Sequence, residues 1–115
     1  MDHKDLDAWK LSVELSVEIY SVTKSFPKEE MFSLVQQIRR AVVSIPSNIA
    51  EGCARKSSKE TIQFLYVALG SLAELETQLI ISHRLGYIIN LDEIVEKLNK
   101  TKQVILGLIR YLKTT

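Results

Sequence analysis

The sequence predicts an all-α protein, an antiparallel up-down-up-down four-helix bundle that assembles into an oligomer. Two observations predict this fold class: apolar residues recur at helical spacing in four successive segments, and only four glycines and two prolines interrupt the 115 residues. A many-stranded β fold would need more turn residues than that. The length is that of one ordinary domain, so we expect residues 1–115 to form a single four-helix-bundle domain.

The first helical segment, over about residues 5–25, carries two apolar series. One series is Leu6, Trp9, Val13, Val17 and Tyr20, and the other is Ala8, Leu11, Leu15, Ile19 and Val22. One apolar stripe is enough to pack a helix into its own bundle. The second stripe therefore predicts that another subunit covers this helix.

The second helix is predicted to begin at Pro27, because proline suits the first helical position and the two glutamates that follow would face the positive end of the helix dipole. Pro46 lies inside this helix and removes one backbone donor, which leaves the carbonyl of Val42 without its helical partner. The apolar pattern continues in phase, so we expect a bend rather than a break. Nearby polar side chains are expected to relieve the lost hydrogen bond: Ser44, Ser47 and Asn48.

Residues typical of helix ends indicate where the remaining two helices begin and end. Ser57 and Glu60 have the spacing of a capping box and predict the start of the third helix, which Gly86 is expected to end. Asn90 and Glu93 repeat the capping spacing before the last apolar series. Because the connections are short, neighbouring helices are expected to run antiparallel.

Composition limits the environment and the partners. A net charge of +1 argues against a protein that coats nucleic acid, which would carry a clear basic excess. The single cysteine, Cys53, cannot form an intramolecular disulfide, and the polar N-terminal residues do not resemble a signal peptide. No uninterrupted apolar run approaches the ~20 residues that span a bilayer. We therefore expect a cytoplasmic protein without membrane insertion.

Catalytic and metal chemistry find little support in the sequence. The two histidines, His3 and His83, are far apart, and the residue three before His83 is Ile80, so the Glu-x-x-His pattern of di-iron bundles is absent. Cys53 has no histidine near it in sequence and is interpreted as a small buried apolar residue. We expect no catalytic residue, no metal and no cofactor.

One polar group occupies positions that should be inside the bundle. Glu76 falls on the apolar stripe of the third helix with Glu74 beside it, and buried acids need partners. Antiparallel pairing would set Arg39 level with about Glu74, which makes Arg39 and Arg40 the expected counter-ions. We interpret this group, with Asn48 and Glu51, as a structural polar network that fixes helix register or bridges subunits. The alternative is a polar active site.

Basic residues are expected at one end of the bundle. An up-down bundle brings the turn between the second and third helices to the same end as the chain terminus, and this end gathers Arg55, Lys56, Lys59, Arg110 and Lys113. These residues form a candidate nucleic-acid-binding surface that a ring of subunits would repeat. The alternative is a set of solvated charges that interact favourably with helix dipoles.

Three stretches of the sequence resemble a known family. They are Phe26-Pro27-Lys28-Glu29-Glu30, the run from Gln37 through Ser44-Ile45-Pro46-Ser47-Asn48-Ile49-Ala50-Glu51-Gly52, and Gly70 through Gln78. Over most of its length the chain resembles the four-helix-bundle proteins encoded in intervening sequences of bacterial 23S ribosomal RNA genes. The resemblance implies a homopentameric ring without enzymatic activity. It also implies kinship with the accessory protein of diversity-generating retroelements, a strongly basic pentamer thought to bind nucleic acid and a reverse transcriptase.

These observations predict a non-enzymatic, homo-oligomeric scaffold, pentameric by resemblance, that associates with RNA or with a nucleic-acid-processing protein. The near-neutral charge leaves an alternative open, which is a protein-interaction adaptor that binds no nucleic acid. A third alternative is an enzyme whose site contains Arg39, Glu74 and Glu76.

Overall fold

The computed structural model describes residues 1–115, with four α-helices and no strand, and it confirms the all-α fold class. The helices are α1 (Asp7–Thr23), α2 (Leu34–Cys53), α3 (Ser58–Arg84) and α4 (Asp92–Lys113). Two short 3₁₀ turns, His3–Asp5 and Lys28–Glu30, precede α1 and α2. The bundle measures 46 × 25 × 20 Å.

A single apolar core joins the four helices. Its fully enclosed side chains come from every helix: Ile19 from α1, Ile38, Ile45 and Ile49 from α2, Leu65, Leu75 and Leu79 from α3, and Leu98 and Ile105 from α4. Removal of this apolar surface from water is the main driving force for folding. The core uses the second apolar series of α1, in which Ala8, Leu15 and Ile19 are buried.

Side-chain bonds between helices fix which residues stand level with each other. Ser16 of α1 reaches Val42 of α2, and Ser44 of α2 meets Ser71 of α3 with 2.7 Å between the hydroxyl oxygens. The Thr61 hydroxyl donates to the Gly52 carbonyl oxygen at 2.8 Å, and the Ser58 and Thr115 hydroxyl oxygens are 2.9 Å apart. The last two pairs lie near one end of the bundle, so the turn between α2 and α3 and the chain terminus are neighbours.

The start of α2 differs from the sequence prediction. Pro27 is followed by the 3₁₀ turn, and the α-helix begins only at Leu34. Contacts with the loop after α3 explain the delay, because Phe26 is buried with its ring centroid 5.3 Å from that of Tyr87. The Tyr87 hydroxyl also donates to the Glu30 carboxylate at 2.9 Å. Tertiary packing thus overrides the helix-start pattern at Pro27.

Pro46 lies inside a continuous α2, so the predicted absence of a break is confirmed. The expectation for the Val42 carbonyl is corrected, because the hydroxyl oxygen of Ser16 on α1 lies 3.3 Å from it. The same buried hydroxyl lies 2.8 Å from the Ser12 carbonyl oxygen, so its proton is shared between two carbonyl acceptors. Asn48 instead donates to the Ser44 carbonyl oxygen at 2.8 Å.

We predict that Ser16→Ala lowers the free energy of unfolding by about 1 kcal/mol, because it leaves the buried Val42 carbonyl without a donor. Ser21→Ala is the matched control, since Ser21 is an exposed serine on the same helix. Urea titrations followed by circular dichroism measure both variants. Equal stabilities for the two variants would show that Ser16 does not compensate for Pro46.

The predicted boundaries of α3 are confirmed. Ser57 caps α3, since its hydroxyl oxygen accepts the Glu60 N–H at 3.2 Å. Gly86 ends α3 with a φ of 84°, and the Tyr87 N–H returns to the Ser82 carbonyl at 2.9 Å. The Asn90 prediction is wrong in detail: Leu91 is the capping residue of α4, and the Asn90 side chain accepts from the Asp92 N–H.

The third helix is unusually apolar for its degree of burial. By length and composition α3 could cross a membrane, with a mean hydropathy of 1.4 over 18 residues. The core helix of a soluble bundle passes the same test, but only 33% of this window is buried in the chain. Much of the apolar surface of α3 therefore faces outward.

Candidate functional site

The residues with potential catalytic or metal chemistry lie apart. No group of three or more His, Cys, Asp and Glu side chains could hold a metal ion. The His83 Nδ1–H donates to the Ile88 carbonyl oxygen at 2.8 Å, and His3 packs edge-on against Trp9. Cys53 is buried, and desolvation raises the pKa of its thiol. These residues have structural surroundings rather than a shared cleft.

Arg39 does not pair with the acids of α3 as predicted. Its Nε–H donates to the Thr23 hydroxyl at 3.0 Å, and its Nη2 donates to the Tyr20 carbonyl oxygen at 3.3 Å. Its guanidinium carbon lies 4.5 Å from the centroid of the Tyr20 ring. Arg39 therefore caps the C-terminal end of α1, where carbonyl oxygens and the helix dipole favour a cation.

The rest of the predicted polar network is dispersed over the surface between α2 and α3. Arg40 and Glu74 line one shallow depression of about 300 Å³ without forming an ion pair, and Glu76 also has no ion pair. Glu51 instead pairs with Arg55 one turn later on α2, at 3.3 Å. The structure thus brings Arg40 and Glu74 near each other and leaves the expected central cluster unformed.

The five predicted basic residues do share one end, but two of them are engaged. The Arg55 guanidinium lies 4.6 Å from the centroid of the Phe64 ring as well as beside Glu51. The Lys113 ammonium lies 3.4 Å from the Tyr66 hydroxyl. No ion pair engages the other three: Lys56, Lys59 and Arg110. Exposed Tyr66 and Tyr111 add aromatic surface to this end.

The opposite end contains an acidic residue held by hydrogen bonds. Glu30 accepts from the Ser33 hydroxyl at 2.7 Å and from the Tyr87 hydroxyl at 2.9 Å. These two bonds, that from Ser33 first, lower the pKa of the Glu30 carboxyl, and the carboxylate raises the pKa of Tyr87. The bonds tie the loop before α2 to the loop after α3.

A groove of about 530 Å³ lies between α1, α2 and the loop before α2. We call it the α1–α2 groove. It is lined by Tyr20, Met31, Phe32, Val35, Gln36, Arg39, Arg40, Val43, Ser44 and Ser47. A second open depression shares Tyr20 and continues along α1 past Val17 and Lys24. The two depressions form one surface with three basic lining residues and no acidic one.

Large apolar side chains protrude at this surface. Phe32 is 89% exposed and Val17 is 68% exposed, and Tyr20 and Val43 are exposed between them. Val17 and Tyr20 belong to the first apolar series of α1, so they form a second apolar surface of this helix in addition to the series that enters the core. Contiguous exposed apolar residues of this kind are typical of an interaction surface.

The chain matches one known protein family over most of its length. The model of the 23S rRNA-intervening sequence protein family matches residues 4–108. The chain belongs to this family. The family match agrees with the resemblance of the Ser-Ile-Pro-Ser-Asn-Ile-Ala-Glu-Gly stretch, which lies in the C-terminal half of α2.

A crystal structure of a family relative has the same fold. It is a protein of unknown function from the S23 ribosomal protein family of Bacteroides thetaiotaomicron VPI-5482, with 26% sequence identity and a TM-score of 0.81. The similarity covers 90% of this chain and 95% of that chain. The search of curated proteins gives no significant match. Family membership therefore supports the fold.

Sequence reasoning missed the most exposed part of the groove. Phe32 lies in the turn before α2, a region that the sequence analysis had assigned to the helix itself. Phe32 is not part of the apolar series of that helix, so its spacing gave no signal. The charged lining was also missed, because Arg39 and Arg40 had been assigned to the interior.

Proposed function

We propose that this member of the 23S rRNA-intervening sequence protein family is a non-enzymatic scaffold that works as a homo-oligomer. The observation that carries the proposal is the α1–α2 groove with its continuation along α1, where Val17, Tyr20, Phe32 and Val43 expose apolar surface that no part of the chain covers. Exposed apolar surface of this extent favours association, because covering it removes it from water.

Within this proposal the four helices run antiparallel in up-down-up-down order and the subunits form a ring of five. The helix order is supported by paired contacts, since Ser44 meets Ser71 whereas Gly52, later in α2, meets Thr61, earlier in α3. The number of subunits is supported by the resemblance to pentameric proteins. A ring requires two different faces on each subunit, because identical faces would close a dimer.

Light scattering coupled to size-exclusion chromatography at micromolar concentration tests the proposal. We expect a mass of five times the 13.1 kDa chain mass. Another multiple would retain self-association and remove the pentamer. A single-chain mass that persists as the concentration rises would overturn the scaffold proposal.

A second candidate activity is RNA association at the basic end. The observation that favours it is the combination of unpaired cations with exposed Tyr66 and Tyr111, since cations and aromatic rings together bind single-stranded nucleic acid. The hydrogen bond between Ser58 and Thr115 holds the two parts of this surface side by side. Repetition of a weak patch around a ring would raise its avidity.

We predict that a triple variant, Lys56→Ala, Lys59→Ala and Arg110→Ala, binds single-stranded RNA more weakly and with a shallower salt dependence than the parent. Fewer phosphates are neutralised, so fewer counter-ions are released. The matched control removes three other exposed lysines: Lys10, Lys100 and Lys102. Fluorescence anisotropy across a salt series measures all three proteins. Identical curves for the two triple variants would exclude the basic end as the binding surface.

Failure of the parent to bind RNA at low salt would favour the protein-adaptor function instead. In that case a protein that binds RNA or processes nucleic acid would no longer be the expected class of partner. Purification of the assembled protein from its native host, with identification of both bound protein and bound nucleic acid, separates the two functions.

A further inference from the structure

The outward face of α3 contains a glycine that the chain itself does not require. Gly70 is exposed in the middle of this 27-residue helix, and a Cβ atom built on it meets nothing within 4 Å. At Gly52, by contrast, a Cβ would lie 2.8 Å from the Cβ of Phe64, so close packing inside the chain requires glycine there. Glycine weakens a helix interior relative to alanine. At Gly70 nothing within the chain offsets that loss.

Apolar side chains flank Gly70 along the same helix. Tyr66 and Val67 are exposed one turn before it, and Ile80 and Ile81 are exposed about three turns after it. Together with Gly70 they define the α3 outer face. These exposed residues explain the low burial of α3, because its apolar side chains point both into the core and away from it.

The charges of this face are opposite to those of the α1–α2 groove. Between Tyr66 and Ile81 the sequence contains the acids Glu74 and Glu76 and no basic residue. Neither acid forms an ion pair within the chain. The groove and its continuation along α1 carry Lys24, Arg39 and Arg40 and no acid.

The two surfaces also stand at the same height in the bundle. Ser44 is level with Ser71, because their hydroxyl oxygens are 2.7 Å apart. Because α2 and α3 run antiparallel, Val43 in the groove is level with about Leu72, which is about 3 Å along the axis from Gly70 on the α3 outer face. Two copies placed side by side, with parallel axes and no axial shift, would bring Val43 of one to within about 3 Å, measured along the axis, of the open space above Gly70 of the other.

We infer that the α3 outer face of one copy occupies the α1–α2 groove of a second copy, with Gly70 opposite Val43. The inference rests on the proposed self-association and names the two faces that meet. Apolar residues lie on both faces, the charges are complementary, and glycine allows the helix backbone to approach closely. Because the two faces differ, each copy contacts two neighbours, which builds a closed ring instead of a two-fold dimer.

Cross-linking between two singly labelled chains tests this pairing. Both chains carry Cys53→Ala, which removes the single native cysteine; one also carries Val43→Cys and the other Gly70→Cys, with affinity tags of different size. After mixing, unfolding and joint refolding, a short bismaleimide reagent is expected to link the two kinds of chain. Each chain alone should give little product. Efficient linkage of the Val43→Cys chain to itself would overturn the inference, as would the absence of mixed product from an oligomeric protein.

A bulky substitution at Gly70 gives an independent test. In Gly70→Trp the Cβ meets no atom of its own chain and the ring starts from an exposed position, so we expect parent-like helical circular dichroism and a mass of one 13.1 kDa chain. Asn99→Trp, at an exposed position of α4, should keep the mass of the parent. An assembled Gly70→Trp variant would contradict the inference. A monomeric parent would instead contradict the proposed function, so the two failures are distinguishable.

Discussion

Gly52→Ala is expected to lower the free energy of unfolding by about 1–3 kcal/mol, the usual range for overpacking a tight contact. The added Cβ would lie 2.8 Å from the Phe64 Cβ and 3.2 Å from the Thr61 carbonyl oxygen. Neither atom is the far end of a flexible side chain, so α2 and α3 must move apart. The Thr61 hydroxyl bond to the Gly52 carbonyl, at 2.8 Å, would be strained by that movement.

Gly107→Ala is the matched control for Gly52→Ala. A Cβ at Gly107 would meet only the Arg110 Nη2 at 3.7 Å, which is an ordinary contact with a flexible side chain. This substitution should raise the free energy of unfolding by about 0.5–1 kcal/mol, because alanine favours the helix. Chemical denaturation measures both variants. The same sign of change in both would show that Gly52 does not set the distance between α2 and α3.

Introducing charge into the α1–α2 groove is expected to abolish assembly. A double variant, Phe32→Glu and Val43→Glu, would replace apolar contacts with two carboxylates in an interface that excludes water. These carboxylates would face the acidic α3 outer face of the neighbouring copy, and their burial is strongly unfavourable. Both side chains are exposed in the single chain, so the core is untouched and the helical content should stay constant. We expect a single-chain mass at micromolar concentration.

The control for the groove variant is Tyr111→Glu, which changes an exposed aromatic residue on α4 outside both proposed contact faces. It should assemble like the parent. If it also became monomeric, loss of assembly would reflect the added charge in general and would not identify the groove. Size-exclusion chromatography at several concentrations separates these outcomes.

Much of the fold could be predicted because local signals determine it. Ser57 and Gly86 mark helix boundaries through their own backbone and side-chain chemistry, so their roles follow from sequence. Pro27 was assigned incorrectly because contacts from distant residues decide that turn, among them the packing of Phe26 on Tyr87. Asn90 was assigned incorrectly by one residue, because Leu91 precedes α4 and the Asn90 side chain makes a local bond to the Asp92 N–H. The α2 helix therefore starts seven residues after Pro27, at Leu34.

The candidate site was harder to predict for a geometric reason. Antiparallel pairing gave nearly the correct height for Arg39, since Ser44 is level with Ser71. Height does not give the direction around the helix, and Arg39 points to α1, where it binds the Tyr20 carbonyl. Its neighbour Arg40 points toward α3 and lines a depression with Glu74. Adjacent residues point in different directions around a helix. Arg39 therefore caps α1, whereas Arg40 is a surface charge near α3.

The most direct test of the central claim is the solution mass of the parent and of the Phe32→Glu, Val43→Glu variant, measured side by side by light scattering. A self-assembling scaffold predicts a multiple of 13.1 kDa for the parent, with five as the expected multiple, and one chain mass for the variant. A parent that remains at one chain mass at every concentration would contradict the scaffold function. A variant that assembles like the parent would contradict the role of the groove.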